Sequence, residues 1–283
     1  MKALITGSAG FVGSHLADCL IEKGHEVVGI DNFLTGDKSN INPKEGFYEA
    51  DIRNRYALDV IFKKEKPDWV FHEAANARTQ VSVDDPVMNN DVNITGTLNV
   101  LLAARDSGVK KVMFASSCIL YSPNTPYYVS KLAGEEYMNV FRKIYNLPTV
   151  NLRYSNVYGS LRQSEKGSSI NALASLHKSR RDTGRIWITG DGAQERDWSH
   201  VKDICRANLM AAESDFTGTV DICTGVQTSM NEIAKHFDCP IDYVEGRPGD
   251  QKHLGFQDPE PAYKAFGYKY EIPLTKDSLE PYL

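Results

Sequence analysis

An α/β fold, a doubly wound parallel sheet followed by a smaller C-terminal lobe, is predicted by three observations. Short apolar runs alternate with helical patterns five or six times up to about residue 154, the signature of right-handed βα crossovers. The first of these units turns through three closely spaced glycines. From about residue 160 the chain changes to polar loops and short elements, with no Gly/Ser-rich or charged spacer to mark a linker.

The elements follow in order. Lys2 to Thr6 is a short apolar run, and Gly7, Gly10 and Gly13 stand as G-x-x-G-x-x-G before a helical pattern begins. Such a turn must fold sharply, let a pyrophosphate reach main-chain N–H groups, and allow the helix to pack closely on its strand. All three needs favour backbone without Cβ. A dinucleotide is therefore expected here. Glu26 to Ile30 reads as the second strand, and Asp31 closes it. A carboxylate at this place accepts hydrogen bonds from ribose hydroxyls and repels a 2′-phosphate, so NAD is expected rather than NADP. Read alone, Asp31 would only open the turn that continues through Asn32, but the glycine motif outweighs that reading.

Phe47 to Asp51 reads as a third strand, Asn54 and Arg55 open a helix toward Lys64, and Trp69 to His72 forms a fourth strand running into Glu73-Ala74-Ala75-Asn76. Small residues at a strand's carboxyl end suit the close passage of a ligand. Val87 to Ser107 has the spacing of one long helix that carries Asn93 toward the cofactor. Lys110 to Ser116 is the fifth strand, with Ser117 at its end. Thr125 caps the next helix and Pro126 takes its first position, and this helix runs to about Asn146. Thr149 to Tyr154 is a strand. Beyond it come a helix over Ile170 to Arg181, a strand at Ile186 to Ile188, a helix over Val201 to Glu213, a strand at Val220 to Cys223, a helix over Met230 to Phe237, and an extended stretch from Ile241 to Val244. The expected division is 1–160 for dinucleotide binding and 161–283 mainly for the second lobe, intermixed with the sheet.

The 283 residues are 41% hydrophobic and 24% charged, ordinary for a soluble globular protein, and no apolar run is long enough to span a bilayer. A net charge of −5 argues against a nucleic-acid surface. The five cysteines are scattered, without metal-ligand spacing or a disulfide framework, so no metal is expected. The chain opens directly on its first strand. The expectation is a cytoplasmic protein without a signal or transit peptide.

Tyr127 and Lys131 form Y-x-x-x-K, which places both on one helix face. An ammonium beside a phenol favours the phenolate, so the spacing predicts a lowered tyrosine pKa and a general base. Ser117 is placed to bond the same substrate oxygen. Y-x-x-x-K alone is common in helices; joined to a dinucleotide motif and a strand-end serine it reads as a catalytic set.

These motifs resemble an extended short-chain dehydrogenase/reductase of the nucleotide-sugar epimerase/dehydratase family. The resemblance is carried by TGSAGFVGSH, Asp31, DIR at Asp51 to Arg53, HEAAN at His72 to Asn76, NITGT at Asn93 to Thr97, Ser117 with Tyr121, YYVSK, RYSNVYG at Arg153 to Gly159, RDW at Arg196 to Trp198, and RPGD at Arg247 to Asp250. It implies a modified Rossmann fold with a C-terminal substrate-binding lobe, tightly held NAD, and a homodimer. By position it implies cofactor contacts at Gly7, Gly10, Phe11, Val12, Gly13, Asp31, Asn32, Asp51, Ile52, Ala74, Ala75, Asn93, Tyr127 and Lys131. For a nucleotide-sugar substrate it implies Ser117, Asn156, Arg196 and Arg247, with Ser117, Tyr127 and Lys131 catalytic. Arginines suit a diphosphate because they are permanently charged, bidentate donors.

The implied chemistry is removal of the C4 hydroxyl proton and transfer of the C4 hydride to NAD, giving a 4-keto sugar that turns over and receives the hydride on its other face. Related dehydratases and decarboxylases carry carboxylates beside the catalytic hydroxyl; here the segment is Ser117-Cys118-Ile119-Leu120, so C4 epimerisation of a UDP-sugar, in the manner of the UDP-glucose 4-epimerases, leads. Two alternatives stay open. One is other nucleotide-sugar chemistry of the family, that of a decarboxylase or dehydratase, or of the GDP-sugar epimerases and reductases, whose cysteine beside the serine would engage Cys118 and make Ser116 the catalytic hydroxyl. A non-catalytic NAD-binding module is the other. The chain departs from the family in the short Tyr121-to-Tyr127 connection, in Ser155 where a bulky aromatic is usual, and in Arg78 where a small hydroxyl residue is common.

Overall fold

A computed structural model describes residues 1–163, 171–246, 255 and 257–283. The first half runs β1 (Lys2–Thr6), α1 (Phe11–Glu22), β2 (Glu26–Asp31), β3 (Gly46–Glu49), α2 (Arg55–Glu65), β4 (Trp69–His72), α3 (Thr79–Asp84), α4 (Pro86–Asn90), a π-helical turn at Asp91–Thr95, and α5 (Gly96–Asp106). It continues through β5 (Lys111–Ser117), a 3-10 turn at Cys118–Tyr121, α6 (Pro126–Tyr145), β6 (Thr149–Tyr154) and β7 (Asn156–Tyr158). The second half holds α7 (Ala172–Thr183), β8 (Ile186–Thr189), β9 (Glu195–His200), α8 (Val201–Glu213), β10 (Gly218–Ile222), β11 (Gln227–Ser229), α9 (Met230–Ala234), β12 (Ile241–Val244) and α10 (Glu260–Phe266).

Seven strands make one parallel sheet in the order β10-β6-β5-β4-β1-β2-β3. Strand order reverses between β1 and β4. There the crossovers leave in opposite directions and a crevice opens above the strands' carboxyl ends. Strands covered on both faces read as continuous apolar runs, and these do: Ala3, Leu4 and Ile5 of β1 are fully buried. One core lies under α1 and α8, joining Ile5, Leu16, Phe71, Leu152 and Ile204. The other lies under α2, α5 and α6, joining Val28, Phe62, Leu101, Phe114 and Phe141. A third, smaller core gathers Tyr158, Leu176, Ile188, Trp198, Ile233 and Tyr282 in the C-terminal part. The chain passes between the two regions more than once: α8 and β10 return to the main sheet, whereas β7 pairs with β9 in a separate three-stranded sheet.

Several boundaries differ from the sequence expectation. β3 ends at Glu49, because Asp51 opens a turn in which its carbonyl accepts the Asn54 amide at 2.9 Å and its carboxylate the Arg53 amide at 2.8 Å. The single helix expected over Val87 to Ser107 is instead α4, the π turn and α5. A helix expected to reach Phe237 stops at Ala234. The strand expected at Val220 to Cys223 is shifted to Gly218–Ile222. Ile170, Arg247 and Asp250 lie outside the described residues.

Candidate active site

A cleft of about 820 Å³ opens at the strand-order reversal, between the sheet's carboxyl edge and the C-terminal part. Its floor is the turn from β1 to α1. Gly7 sits at φ +75°, in the left-handed region, and a Cβ there would come within 2.8 Å of the Ala74 amide nitrogen. A Cβ on Gly13 would stand 2.1 Å from the Gly7 carbonyl oxygen, so any larger residue would push α1 off its strand. Gly10, at the N-cap of α1, has no side chain to satisfy the first-turn N–H groups. Gly7, Gly10, Phe11, Val12 and Gly13 all line the cleft. This cradle fits a pyrophosphate, whose oxygens can take those N–H groups at the positive end of the helix.

At one end of the cleft Asp31 is buried and fixed: one carboxylate oxygen accepts the Ala9 amide at 3.1 Å and the other the Phe33 amide at 2.7 Å. Asp31 lines the cleft, where its carboxylate can accept from a ribose hydroxyl. Asn32 donates to Asp51 at 2.9 Å, and Asp51 is gripped by Arg53, whose guanidinium pulls its carboxyl down to about 2. Asn32, Asp51 and Ile52 line this end, and Ala74 and Ala75 line the middle.

At the other end stand Ser117, Tyr127 and Lys131. Thr125 caps α6 by accepting the Tyr128 amide, which sets the first turn so that Tyr127 is buried in the cleft wall. Ser117 and Tyr127 stand side by side on the cleft wall. Ser116 turns the other way and donates to Glu135 at 2.5 Å, so Ser117 is the hydroxyl beside the tyrosine. The lowered tyrosine pKa expected from Y-x-x-x-K is not found. Burial holds the Tyr127 phenol well above its ordinary value, with the neighbouring Ser117 hydroxyl opposing. The reason is geometric: the Lys131 ammonium donates to the Ala115 carbonyl at 2.7 Å and lies 5.8 Å from the Tyr127 ring centre. Burial also pulls Lys131 down to about 8. Cys118 is buried, and its thiol is pushed up to about 12 by burial.

Asn93 does not line the cleft. Its side chain is spent on protein: Oδ1 accepts the Asn76 amide at 2.7 Å, and Nδ2 donates to Asn89, to Ser130 and to the Asn76 carbonyl at 3.0 to 3.1 Å. It ties the strand-end loop to the residue before Lys131, which makes it a positioning residue. The π turn that carries it is fixed by Thr97, whose hydroxyl donates to the Asn93 carbonyl at 2.6 Å. Because that hydroxyl proton is used, His72 Nε2 must donate to Thr97 at 2.8 Å, leaving Nδ1 to accept from Thr6 at 2.7 Å. Burial lowers His72 to about 3, so it stays neutral. Neither His72 nor Glu73, which also lines the cleft, was singled out by sequence reasoning; an unusual acid directly after a central strand was the available signal.

Asn156 and Arg196 line the far wall on β7 and β9. Between them Asp197 accepts the Thr224 amide and hydroxyl and the Gly225 amide, which clips β9 to the loop after β10. Arg78, the departure noted in the sequence, also lines the cleft, at the start of α3. The short Tyr121-to-Tyr127 connection is anchored by the Tyr121 hydroxyl donating to Asp221 at 2.8 Å, and Gly255 packs against the Tyr121 side chain. Among the described residues there is no cluster of His, Cys, Asp and Glu that could hold a metal, and no helix long and apolar enough to cross a membrane.

Residues 3–223 match the model of the NAD dependent epimerase/dehydratase family. A UDP-glucose 4-epimerase of Mycolicibacterium smegmatis is 34% identical over 82% of this chain and 80% of its own length. The crystal structure of a UDP-glucose 4-epimerase from Thermotoga maritima with UDP-glucose superposes with a TM-score of 0.94 at 33% identity, over 99% of this chain and 97% of that one. A Thermus thermophilus UDP-glucose 4-epimerase in complex with NAD gives a TM-score of 0.92 at 29% identity, over 100% and 99%.

Proposed function

The chain belongs to the NAD-dependent epimerase/dehydratase family, and on that premise we propose that it is a nucleotide-sugar 4-epimerase, inverting C4 of a UDP-sugar through a transient 4-keto sugar. The observation that carries this reading is the pairing of Ser117 with Tyr127 on the cleft wall, Ser117 being followed by Cys118 and Ile119 rather than by carboxylates. Elimination of water needs an added acid and base beside the serine, whereas C4 inversion needs neither. Bound NAD supplies the hydride acceptor and, when oxidised, a positive charge in the cleft that favours the Tyr127 phenolate.

In this reading Tyr127 takes the C4 hydroxyl proton and later returns it. Ser117 bonds the same oxygen and orients it toward the tyrosine. Lys131, a cation in a buried wall, stabilises the phenolate as it forms. Asp31 holds the adenosine ribose, and the turn at Gly7, Gly10 and Gly13 holds the pyrophosphate, with Phe11, Val12, Asn32, Asp51, Ile52, Ala74 and Ala75 shaping the rest of the cofactor trough. Asn156, Arg196 and Arg247 take the nucleotide diphosphate. We divide the labour at residue 160, with 1–160 carrying NAD and 161–283 mainly the nucleotide sugar.

We also propose a homodimer formed through α6, whose outer face exposes Val129, Leu132, Val140 and Ile144 at helical spacing. A cytoplasmic location is supported by five cysteines that are all free thiols. The test is a panel of UDP-, GDP- and dTDP-sugars followed by proton NMR. Inversion at C4 of a UDP-sugar without net NADH is expected. No turnover of any sugar by NAD-loaded protein would overturn the reading.

A further inference from the structure

A half-buried carboxylate and a buried ammonium meet at the sheet's carboxyl edge, neither with an ion-pair partner among the described residues. Glu73 directly follows β4, and its amide donates to the Thr6 carbonyl at 3.1 Å. One carboxylate oxygen accepts the Tyr154 hydroxyl at 2.9 Å, and that hydroxyl in turn accepts from Asn208 at 2.7 Å. Lys131 reaches the same edge from α6, bonded to the Ala115 carbonyl. β4 and β5 pair in parallel with His72 opposite Phe114; continued by one residue, the register brings Glu73 level with Ala115. Neighbouring strands lie about 4.8 Å apart, and Glu73, Ala115 and Lys131 all line the cleft there.

Another acid faces Lys131, but it is already matched. Glu135, one turn along α6, takes Arg153 in a bidentate pair at 2.8 and 2.7 Å and also accepts from Ser116. Its negative charge is cancelled at contact distance. The unmatched carboxylate is Glu73.

We propose that Glu73 is a positioning residue that acts through Lys131: its carboxylate is the counter-charge that keeps the buried ammonium protonated at neutral pH. This rests on the epimerase reading for its catalytic consequence, but not for the charge coupling itself. Burial lowers Lys131, and Glu73 and Glu135 are the groups that oppose it. Burial raises Glu73 to about 7, opposed by the Tyr154 hydrogen bond and by the charge of Lys131. The other groups facing the pair do not change state near neutrality. His72 stays neutral, the phenols of Tyr127 and Tyr154 and the thiols of Cys118 and Cys205 are pushed up by burial, and Arg153 is held charged by Glu135. Above about pH 7 Glu73 is ionised and supports the ammonium. Without that charge, Lys131 loses its proton at lower pH.

The experiment is a carbon-13 NMR titration of lysine Cε in NAD-loaded protein, with the Lys131 signal assigned by its loss in Lys131→Met. Wild-type Lys131 is expected to titrate near pH 8. In Glu73→Gln, which keeps an acceptor for Tyr154, the midpoint should fall by about one pH unit or more, and Glu73→Asp should restore most of it. The alkaline limb of kcat should move by the same interval, with KM little changed. NAD content and Tm report whether each variant is folded. An unchanged Lys131 midpoint in folded Glu73→Gln overturns the coupling. A shifted midpoint with an unmoved kcat limb overturns the catalytic consequence. If wild type turns over no sugar, the epimerase reading fails, while the NMR titration still decides whether Glu73 holds the charge of Lys131.

Discussion

Tyr127 combines burial with a phenol held well above its ordinary value, so the protein by itself does not present a phenolate at neutral pH. Its proton must leave when the substrate oxygen, Ser117 and the cleft's positive charges are assembled together. Tyr127→Phe is accordingly expected to lower kcat by about 10²- to 10⁴-fold, the span of general acid–base catalysis, while NAD remains bound; steady-state kinetics and cofactor content check both halves. Cys118 lies next to this centre with its thiol pushed up to about 12, a poor acid or base near neutrality. Cys118→Ala should retain kcat within about threefold, and a loss of 10² or more would favour the GDP-sugar chemistry instead. Away from the chemistry, Glu45 is buried under the glycine turn beside Ser8, and neither of its carboxylate oxygens has a hydrogen-bond partner among the described residues. Burial, then the charges of Asp18 and Asp31, raise it to about 7. A raised carboxyl contributes stability that is present below its ordinary value of 4.5 and is lost as pH rises through about 7. Glu45→Gln lacks that loss, so its Tm advantage over wild type should open between pH 5 and pH 8, by on the order of 4 °C. A gap that stays constant across this range would show that Glu45 is ionised throughout.

The β1–turn–α1 unit was legible because each glycine answers a steric need that sequence spacing already encodes. Gly13→Ala tests the closest of these contacts. With a methyl 2.1 Å from the Gly7 carbonyl, α1 must shift, and NAD retained through gel filtration should fall by roughly tenfold or more. The start of α6 was equally legible, since Thr125 and Pro126 are a cap and a first-turn proline. What escaped were elements whose signals are weak or absent. β7, β9 and β11 have only three to six residues, and β9 buries Asp197, Ser199 and His200, so no apolar alternation marks it. The π turn at Asp91–Thr95 looks like ordinary helix in the apolar spacing, because one wide turn changes the hydrogen bonding without breaking the pattern. That turn aims Asn93 at Asn76 and Ser130 rather than at the cleft. Spacing likewise put Tyr127 and Lys131 on one face, but it could not reveal that the ammonium bonds the Ala115 carbonyl or that Glu73 stands at the same edge.

For the whole molecule, strand order does most of the positioning. Reversal between β1 and β4 opens one crevice, and the carboxyl ends of β1, β2, β4 and β5 deliver the glycine turn, Asp31, Glu73 and Ser117 to it. The C-terminal part closes the far side with Asn156 and Arg196, built on short strands clipped by Asp197. Such a cleft suits a cofactor that stays in place while the sugar enters, turns and leaves. The central claim is that the hydride removed from C4 is the one returned to it. UDP-glucose carrying deuterium at C4, converted by NAD-loaded protein in ordinary water, tests this most directly by mass and NMR analysis of the product. Full retention of deuterium at the inverted C4, without net NADH, is the predicted result. Product bearing hydrogen at C4, or NADH accumulating with turnover, would contradict it.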